Sequence, residues 1–167
     1  MSTVIALLLA SSLMQAATSL DPVVTEAVVN APVSRVWEAF TTKAGMESWM
    51  VANGDIDPRV GGRMRTSYRK DADLDGDTAI HQTILSIDPE RMLSYRTVRS
   101  PAGFPFAATI GQTWTVIYFE PLDAGRTKVT VRMLGYSNDA ESQKMRAFFD
   151  VGNKATLDAL VKRFATR

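Results

Sequence analysis

The chain has one histidine, His81, and this is the first side chain to consider for chemistry. An imidazole can move a proton near neutral pH or bond to a ligand oxygen. Two tyrosines, Tyr68 and Tyr95, come next, because a buried phenol needs a hydrogen-bond partner. His81 with a tyrosine in one cavity would suit a cyclase, dehydratase or isomerase, in which the cavity folds the substrate. Alternatively, His81 lies at a strand edge or in the core and bonds to a backbone carbonyl.

Composition excludes several other kinds of site. The chain has no cysteine, which removes disulfides, thiolate nucleophiles and cysteine-based zinc sites. It has no Gly-x-Ser-x-Gly sequence of the kind that carries a serine nucleophile. The acidic stretch from Asp71 to Asp77 is similar to a calcium loop, but Gln82 stands where an EF-hand needs its glutamate. We therefore interpret that stretch as a solvated hairpin turn, and we predict no metal and no cofactor.

The period-two pattern of β-strands indicates which candidate side chains share a face. Counted from Ile87 as a core residue, it places His81 and Thr83 inward on one strand. It places Tyr95 inward on the following strand and Tyr68 inward on the preceding one. These polar side chains would then meet on the concave face of a sheet.

The last stretch of the chain, Ser137 to Arg167, has apolar residues at helical spacing and predicts one long amphipathic helix. At about 1.5 Å per residue, roughly 25 residues would span about 40 Å, so the helix must cross a whole sheet. Phe148 and Gly152 fall on its apolar arc, and Asn153 on its polar arc. A glycine inside a helix costs about 0.5 to 1 kcal/mol, so either a close strand or room for a ligand should compensate for Gly152. Gly152 is therefore expected to face the sheet.

The preceding segments predict mainly strands. Val23 to Asn30 is β-branched and is followed by Ala31-Pro32, which favours a helix over Pro32 to Thr42. A second short helix around Ala44 to Met50 carries Trp49, which we expect at one end of the sheet. The predicted fold class is α+β: a helix-grip fold, with a curved antiparallel sheet wrapped around a long C-terminal helix and two short helices after the first strand.

Turns and a hairpin complete this prediction. Asn53-Gly54-Asp55 is typical of a turn, and Ser100 to Gly111, with two prolines and two glycines, predicts a long, lid-like loop. Thr113 to Leu134 predicts a hairpin whose outward residues Trp114, Val116 and Tyr118 would suit a dimer surface or a membrane-facing patch. A monomer and a homodimer both remain open. The inward residues of the hairpin are expected to be Thr115, Ile117, Phe119, Val129, Val131 and Met133.

The N-terminus and the overall charge bear on location and partners. Residues 1–19 form an apolar run followed by small residues, which favours a signal peptide ahead of a single domain at residues 20–167. Export to the periplasm or outside the cell is then expected; the alternative is an N-terminal helix packed on the domain or on a partner, in a cytoplasmic protein. The apolar run is too short to favour a stable membrane span. A formal net charge of +1 gives no field that would attract nucleic acid.

Several short motifs occur in a specific order between Val23 and Phe164. They are Ala31-Pro32, Val36-Trp37-Glu38-Ala39-Phe40, Trp49, Asp57-Pro58-Arg59-Val60-Gly61-Gly62-Arg63, Ile87-Asp88-Pro89-Glu90-Arg91-Met92-Leu93, Phe119-Glu120-Pro121 and Gly125-Arg126-Thr127. Their order and spacing resemble the SRPBCC superfamily and, within it, the homologues of the activator of the heat-shock-protein-90 ATPase. The resemblance implies a helix-grip fold around a deep hydrophobic cavity, used by relatives for lipids, sterols, polyketides and plant hormones. It implies no universal catalytic residue, since relatives include binding proteins, aromatase/cyclases, hydroxylase components and co-chaperones.

The preferred hypothesis is a non-catalytic binder of a small hydrophobic molecule, held between the sheet and the C-terminal helix. The alternatives are the enzyme that uses His81 and a tyrosine, and a protein-interaction or co-chaperone-like domain with a collapsed core. An exported chain would not meet a cytosolic chaperone, and no recognisable catalytic pair is present, so we lean away from both. The predicted ligand-binding residues are Trp49, Tyr68, His81, Thr83, Tyr95, Phe148 and Gly152.

Overall fold

The computed structural model describes residues 21–165, which form one seven-stranded antiparallel sheet and three α-helices. The strands are β1 (Val23–Val29), β2 (Asn53–Ile56), β3 (Arg63–Ser67), β4 (Ile80–Asp88), β5 (Met92–Arg99), β6 (Trp114–Asp123) and β7 (Arg126–Leu134), and the helices are α1 (Val33–Thr41), α2 (Lys43–Glu47) and α3 (Ala140–Ala165). The strand order is β1-β7-β6-β5-β4-β3-β2. The predicted α+β helix-grip fold is confirmed. The segment interpreted as a signal peptide, residues 1–19, lies outside the described residues.

Helix α1 packs on the sheet through aromatic side chains. The Phe40 ring lies 5.1 Å from that of Phe119 on β6 and 4.9 Å from that of Trp49, both edge to face. Trp37 makes a similar contact with Phe119 at 5.3 Å. Helix α2 begins where the Thr42 hydroxyl accepts a hydrogen bond from the Gly45 amide at 2.9 Å.

Helix α3 begins at a carboxylate cap and then packs along the sheet. The Ser142 amide donates to Asp139 Oδ1 at 2.8 Å, which satisfies one of the free amides of the first turn. Leu157 and Leu160, in the second half of α3, are buried in the main core cluster with Val29 of β1 and Val36 of α1. Among the described residues, no helix is both long enough and apolar enough to cross a bilayer.

The interpretation of Asn53-Gly54-Asp55 as a turn is wrong, because these residues belong to the edge strand β2. The Lys43 ammonium donates to Asn53 Oδ1 at 3.1 Å and to the Gly54 carbonyl at 3.0 Å, which ties the strand to α2. A Cβ at Gly54 would lie 3.3 Å from Met46 Cε, so the glycine allows close packing on α2. Contacts with distant residues therefore decide the conformation of this segment.

Candidate ligand-binding site

A cavity of about 330 Å³, with a mouth open to solvent, lies between the sheet and α3. It separates the main core cluster from a smaller one built on Ile110, Tyr136 and Met145, since side chains of both clusters line it. Its volume falls at the lower end of the range of about 300 to 1,000 Å³ that small-molecule sites occupy. The lining residues are Phe40, Met50, Val51, Met64, Thr66, Tyr68, Ile80, Gln82, Leu93, Tyr95, Thr97, Ser100, Pro101, Phe104, Ile110, Phe148, Phe149, Asn153 and Thr156, and none of them carries a charge at neutral pH.

A β-bulge in β4 determines which of its residues face this cavity. From the turn between β4 and β5, the pairs run in register through Asp88–Met92, Ile87–Leu93 and Ser86–Ser94. The next residue of β5, Tyr95, pairs with Ile84 and not with Leu85. Leu85 is therefore an extra residue, and an extra residue reverses the facing of every position before it on the strand.

This bulge corrects the prediction for His81 and Thr83. Ile84 is buried and Gln82 lines the cavity, so His81 and Thr83, which alternate with them, lie on the outer face of the sheet. The expected inward orientation of both residues is wrong. The period-two assignment of inward residues started correctly at Ile87, but it was reversed for every residue before the bulge at Leu85.

On the outer face, His81 is part of a polar network that holds the acidic turn. His81 Nε2 lies 2.8 Å from the Leu74 carbonyl oxygen and 2.6 Å from Arg99 Nη2. Arg65, which pairs with His81 across the sheet, donates to Asp55 and, at 2.7 Å, to Asp75. The hydrogen bond from Arg65 lowers the pKa of the Asp75 carboxyl. The contact with a backbone carbonyl, expected in the alternative interpretation of His81, is therefore observed, although His81 lies on the outer face of an inner strand and not at a strand edge or in the core.

The two predicted tyrosines do line the cavity, at different depths. Tyr68 is 75% exposed and lies at the mouth. Tyr95 points inward from β5, and its hydroxyl forms a hydrogen bond with the side chain of Thr115, its partner on β6. Burial raises the pKa of Tyr95 to about 12, partly offset by the bond to Thr115. The phenol of Tyr95 is therefore neutral at physiological pH and available as a hydrogen-bonding group.

The raised pKa of Tyr95 predicts a loss of stability at high pH. A group whose pKa is higher in the folded state stabilises the fold below its unfolded pKa, near 10, and this contribution is lost as the pH rises towards 12. We expect the free energy of unfolding, from urea titrations at pH 9 and pH 11.5, to fall less in Tyr95→Phe than in the parent. Burial also raises the pKa of Tyr136, so part of the fall should remain. An equal fall in both proteins would mean that Tyr95 is solvated.

Three further predicted residues lie near the cavity in different ways. Phe148 lines it from α3, whereas Trp49 stands behind Phe40 and donates its indole N–H to the Ala39 carbonyl at 3.0 Å. Trp49 is not part of the wall, which corrects its predicted position. A Cβ at Gly152 would meet no atom within 4 Å, so no strand approaches it closely. Gly152 is also absent from the cavity lining, so neither the close strand nor the room for a ligand expected at this glycine is observed.

The structure adds two polar residues that the sequence did not indicate. Gln82 Oε1 and Asn153 Nδ2 are buried atoms that have no hydrogen-bond partner within the described chain, and both residues line the cavity. Asn153 was expected on the polar arc of α3, and Gln82 on the outer face of its strand. A helical-wheel count that followed the neighbouring Phe149 and Thr156 would have drawn attention to Asn153.

The predicted lid-like loop covers the cavity mouth with aromatic rings. Phe104 and Phe106 of the loop pack on the helix, with the Phe106 ring 5.6 Å from Phe148 and the Phe104 ring 6.4 Å from Phe149. The loop is also fastened to α3, where the Thr109 hydroxyl donates to Glu141 Oε1 at 2.9 Å. Its far end is fastened where the Ala102 amide donates to the Asp77 carbonyl at 2.8 Å.

A second depression, of about 680 Å³, lies around the turn between β4 and β5. Its lining includes the charged residues Glu90, Arg91, Glu120 and Arg132, and it is open to solvent. A groove lined by charged residues suits a small apolar ligand less well than the uncharged cavity does. The uncharged cavity is therefore the better candidate for a binding site.

Comparison with known proteins places the fold among known structures. The family model described as Activator of Hsp90 ATPase homolog 1-like protein matches residues 30–165. The solved structure of MLL2253 from Mesorhizobium loti is 21% identical, with a TM-score of 0.66 over 85% of this chain and 95% of that one. BH1534 from Bacillus halodurans is 19% identical, with a TM-score of 0.63 over 87% and 98%. CalU16 from Micromonospora echinospora is 21% identical, with a TM-score of 0.61 over 86% and 75%.

At these identities the likeness to solved structures shows the fold alone. No curated protein matches the chain in sequence. The cavity of this chain must therefore be interpreted from its own residues.

Proposed function

Because this chain belongs to the family of Activator of Hsp90 ATPase homolog 1-like proteins, we propose that it binds one small hydrophobic molecule in the cavity between the sheet and α3. The observation that carries the proposal is the cavity of about 330 Å³ with an uncharged, largely apolar lining. Packed protein interiors leave few voids larger than a water molecule, so a void of this size argues against a collapsed core.

Binding is favoured over catalysis by the groups that are present in the wall. Tyr68 and Tyr95 are the only ionisable side chains among the lining residues, and the phenol of Tyr95 stays protonated near neutral pH. His81, which the enzyme hypothesis paired with a tyrosine in the cavity, lies on the outer face of the sheet against Leu74 and Arg99. A general base needs a pKa near the working pH, and the pKa of the Tyr95 phenol lies well above it.

Native mass spectrometry of the protein purified from its own host tests the proposal directly. We expect a bound molecule at one copy per chain, released by mild activation. A titration with Nile red, a neutral apolar dye, provides a second readout and should saturate at one site. Protein that carries no molecule and also shows no saturable Nile red binding would contradict the proposal.

His81→Ala should leave Nile red affinity within about twofold of the parent, because the imidazole lies outside the cavity. Phe148→Ala is the matched comparison, since Phe148 lines the cavity while remaining half exposed. Loss of its ring contacts should weaken dye binding several-fold at a modest cost in stability. If His81→Ala weakened binding as much as Phe148→Ala did, a site on the outer face would replace the cavity.

A further inference from the structure

Two side-chain amides line the cavity, Gln82 from β4 and Asn153 from α3. Neither amide makes a side-chain hydrogen bond within the described residues, and Gln82 Oε1 and Asn153 Nδ2 are enclosed by protein atoms. The atoms of these amides that a ligand can reach are therefore Gln82 Nε2 and Asn153 Oδ1. Most polar side-chain atoms inside proteins are hydrogen-bonded, so two unpaired groups in the wall of a cavity indicate groups that a ligand can satisfy.

The chemistry of the two atoms is complementary. Gln82 Nε2 donates a hydrogen bond and needs an acceptor, whereas Asn153 Oδ1 accepts a hydrogen bond and needs a donor. Because no lining residue is charged, an ionised ligand group would lose its hydration without gaining a counter-ion. A plain hydrocarbon, in contrast, would leave both amides unpaired.

We propose, on the basis of the proposed function, that the cavity selects an uncharged molecule whose apolar body carries both a hydrogen-bond donor and an acceptor. A carboxamide, a lactam or a hydroxyketone belongs to this class. Its acceptor bonds to Gln82 Nε2 on the sheet and its donor bonds to Asn153 Oδ1 on the helix. Free fatty acids and other carboxylates are disfavoured.

Three probes of one shape test this selectivity: 2-naphthamide, 2-methylnaphthalene and 2-naphthoate, each titrated by displacement of Nile red. We expect 2-naphthamide to bind about tenfold more tightly than 2-methylnaphthalene, and 2-naphthoate to bind most weakly. In Gln82→Met or Asn153→Leu, which keep side-chain size but remove the amide, the tenfold preference should shrink to about twofold. Gln112→Met, at an exposed position outside the cavity wall, is the matched control and should keep the preference.

The outcomes separate this proposal from the proposed function. A preference that is lost in at least one of the two cavity variants and kept in Gln112→Met supports it. Equal binding of 2-naphthamide and 2-methylnaphthalene, tighter binding of 2-naphthoate, or a preference that persists in both cavity variants overturns it while leaving the cavity as a binding site. If Nile red itself does not bind, the proposed function fails first.

Discussion

Replacing Leu160 by alanine is expected to lower the free energy of unfolding by about 2 to 5 kcal/mol. Leu160 is fully buried where the second half of α3 packs into the main core cluster. Met145 holds the first half of α3 in the smaller core cluster, and Leu157 and Leu160 hold the second half in the main one. Truncation there removes apolar contacts and leaves a void in a close-packed region.

Urea unfolding measures this effect, through a lower midpoint at an unchanged slope. Val151→Ala is the matched control, because Val151 lies on the same helix and is 72% exposed. Surface substitutions of this kind usually change stability by less than about 0.5 kcal/mol. A similar loss in both variants would mean that α3 does not dock through Leu160.

Thr97→Phe is expected to weaken Nile red binding by about tenfold or more, which corresponds to roughly 1.4 kcal/mol. Thr97 lies on β5 opposite Gln82 and lines the cavity while only half buried. A phenyl ring at this position would occupy space that the dye needs. Because the ring fills an existing void and does not displace packed atoms, the stability of the fold should fall little or even rise.

Val98→Phe is the matched control for this experiment. Val98 is the next residue on the same strand, is 62% exposed and lies outside the cavity wall. Its variant should bind Nile red like the parent. Parental affinity in Thr97→Phe would place the dye elsewhere on the molecule and remove the support that dye binding gives to the cavity.

Some of this structure could be predicted from the sequence because the signal was local and regular. In β7, strict alternation placed Val129 and Met133 inward, and both are buried. Ile117 and Phe119, expected inward on β6 because the neighbouring Glu120 should point to solvent, are buried as well. The amphipathic pattern after Ser137 predicted α3. The order of short motifs predicted the family and the helix-grip fold. Each motif is a run of consecutive residues, so it can be recognised without the tertiary structure.

Which residues line the cavity depends on a feature that the period-two pattern of β-strands does not reveal. The bulge at Leu85 adds one residue to β4, and a single added residue exchanges the two faces of everything before it. No residue type at Leu85 marks that bulge in the sequence. His81 and Thr83 were therefore assigned to the wrong face, and Gln82 was missed.

The sequence by itself determined the family, the helix-grip architecture and the face of each strand that alternates without interruption. Only the tertiary structure decided that Gln82 and Asn153 meet across one cavity, because these residues lie 71 positions apart and come together only when α3 docks on the sheet. The size of the cavity was likewise decided by docking. Leu157 and Leu160 of α3 pack in the main core cluster, and Phe148 and Phe149 of the same helix lie beside the loop. The helix therefore crosses the sheet without filling the cavity beneath it.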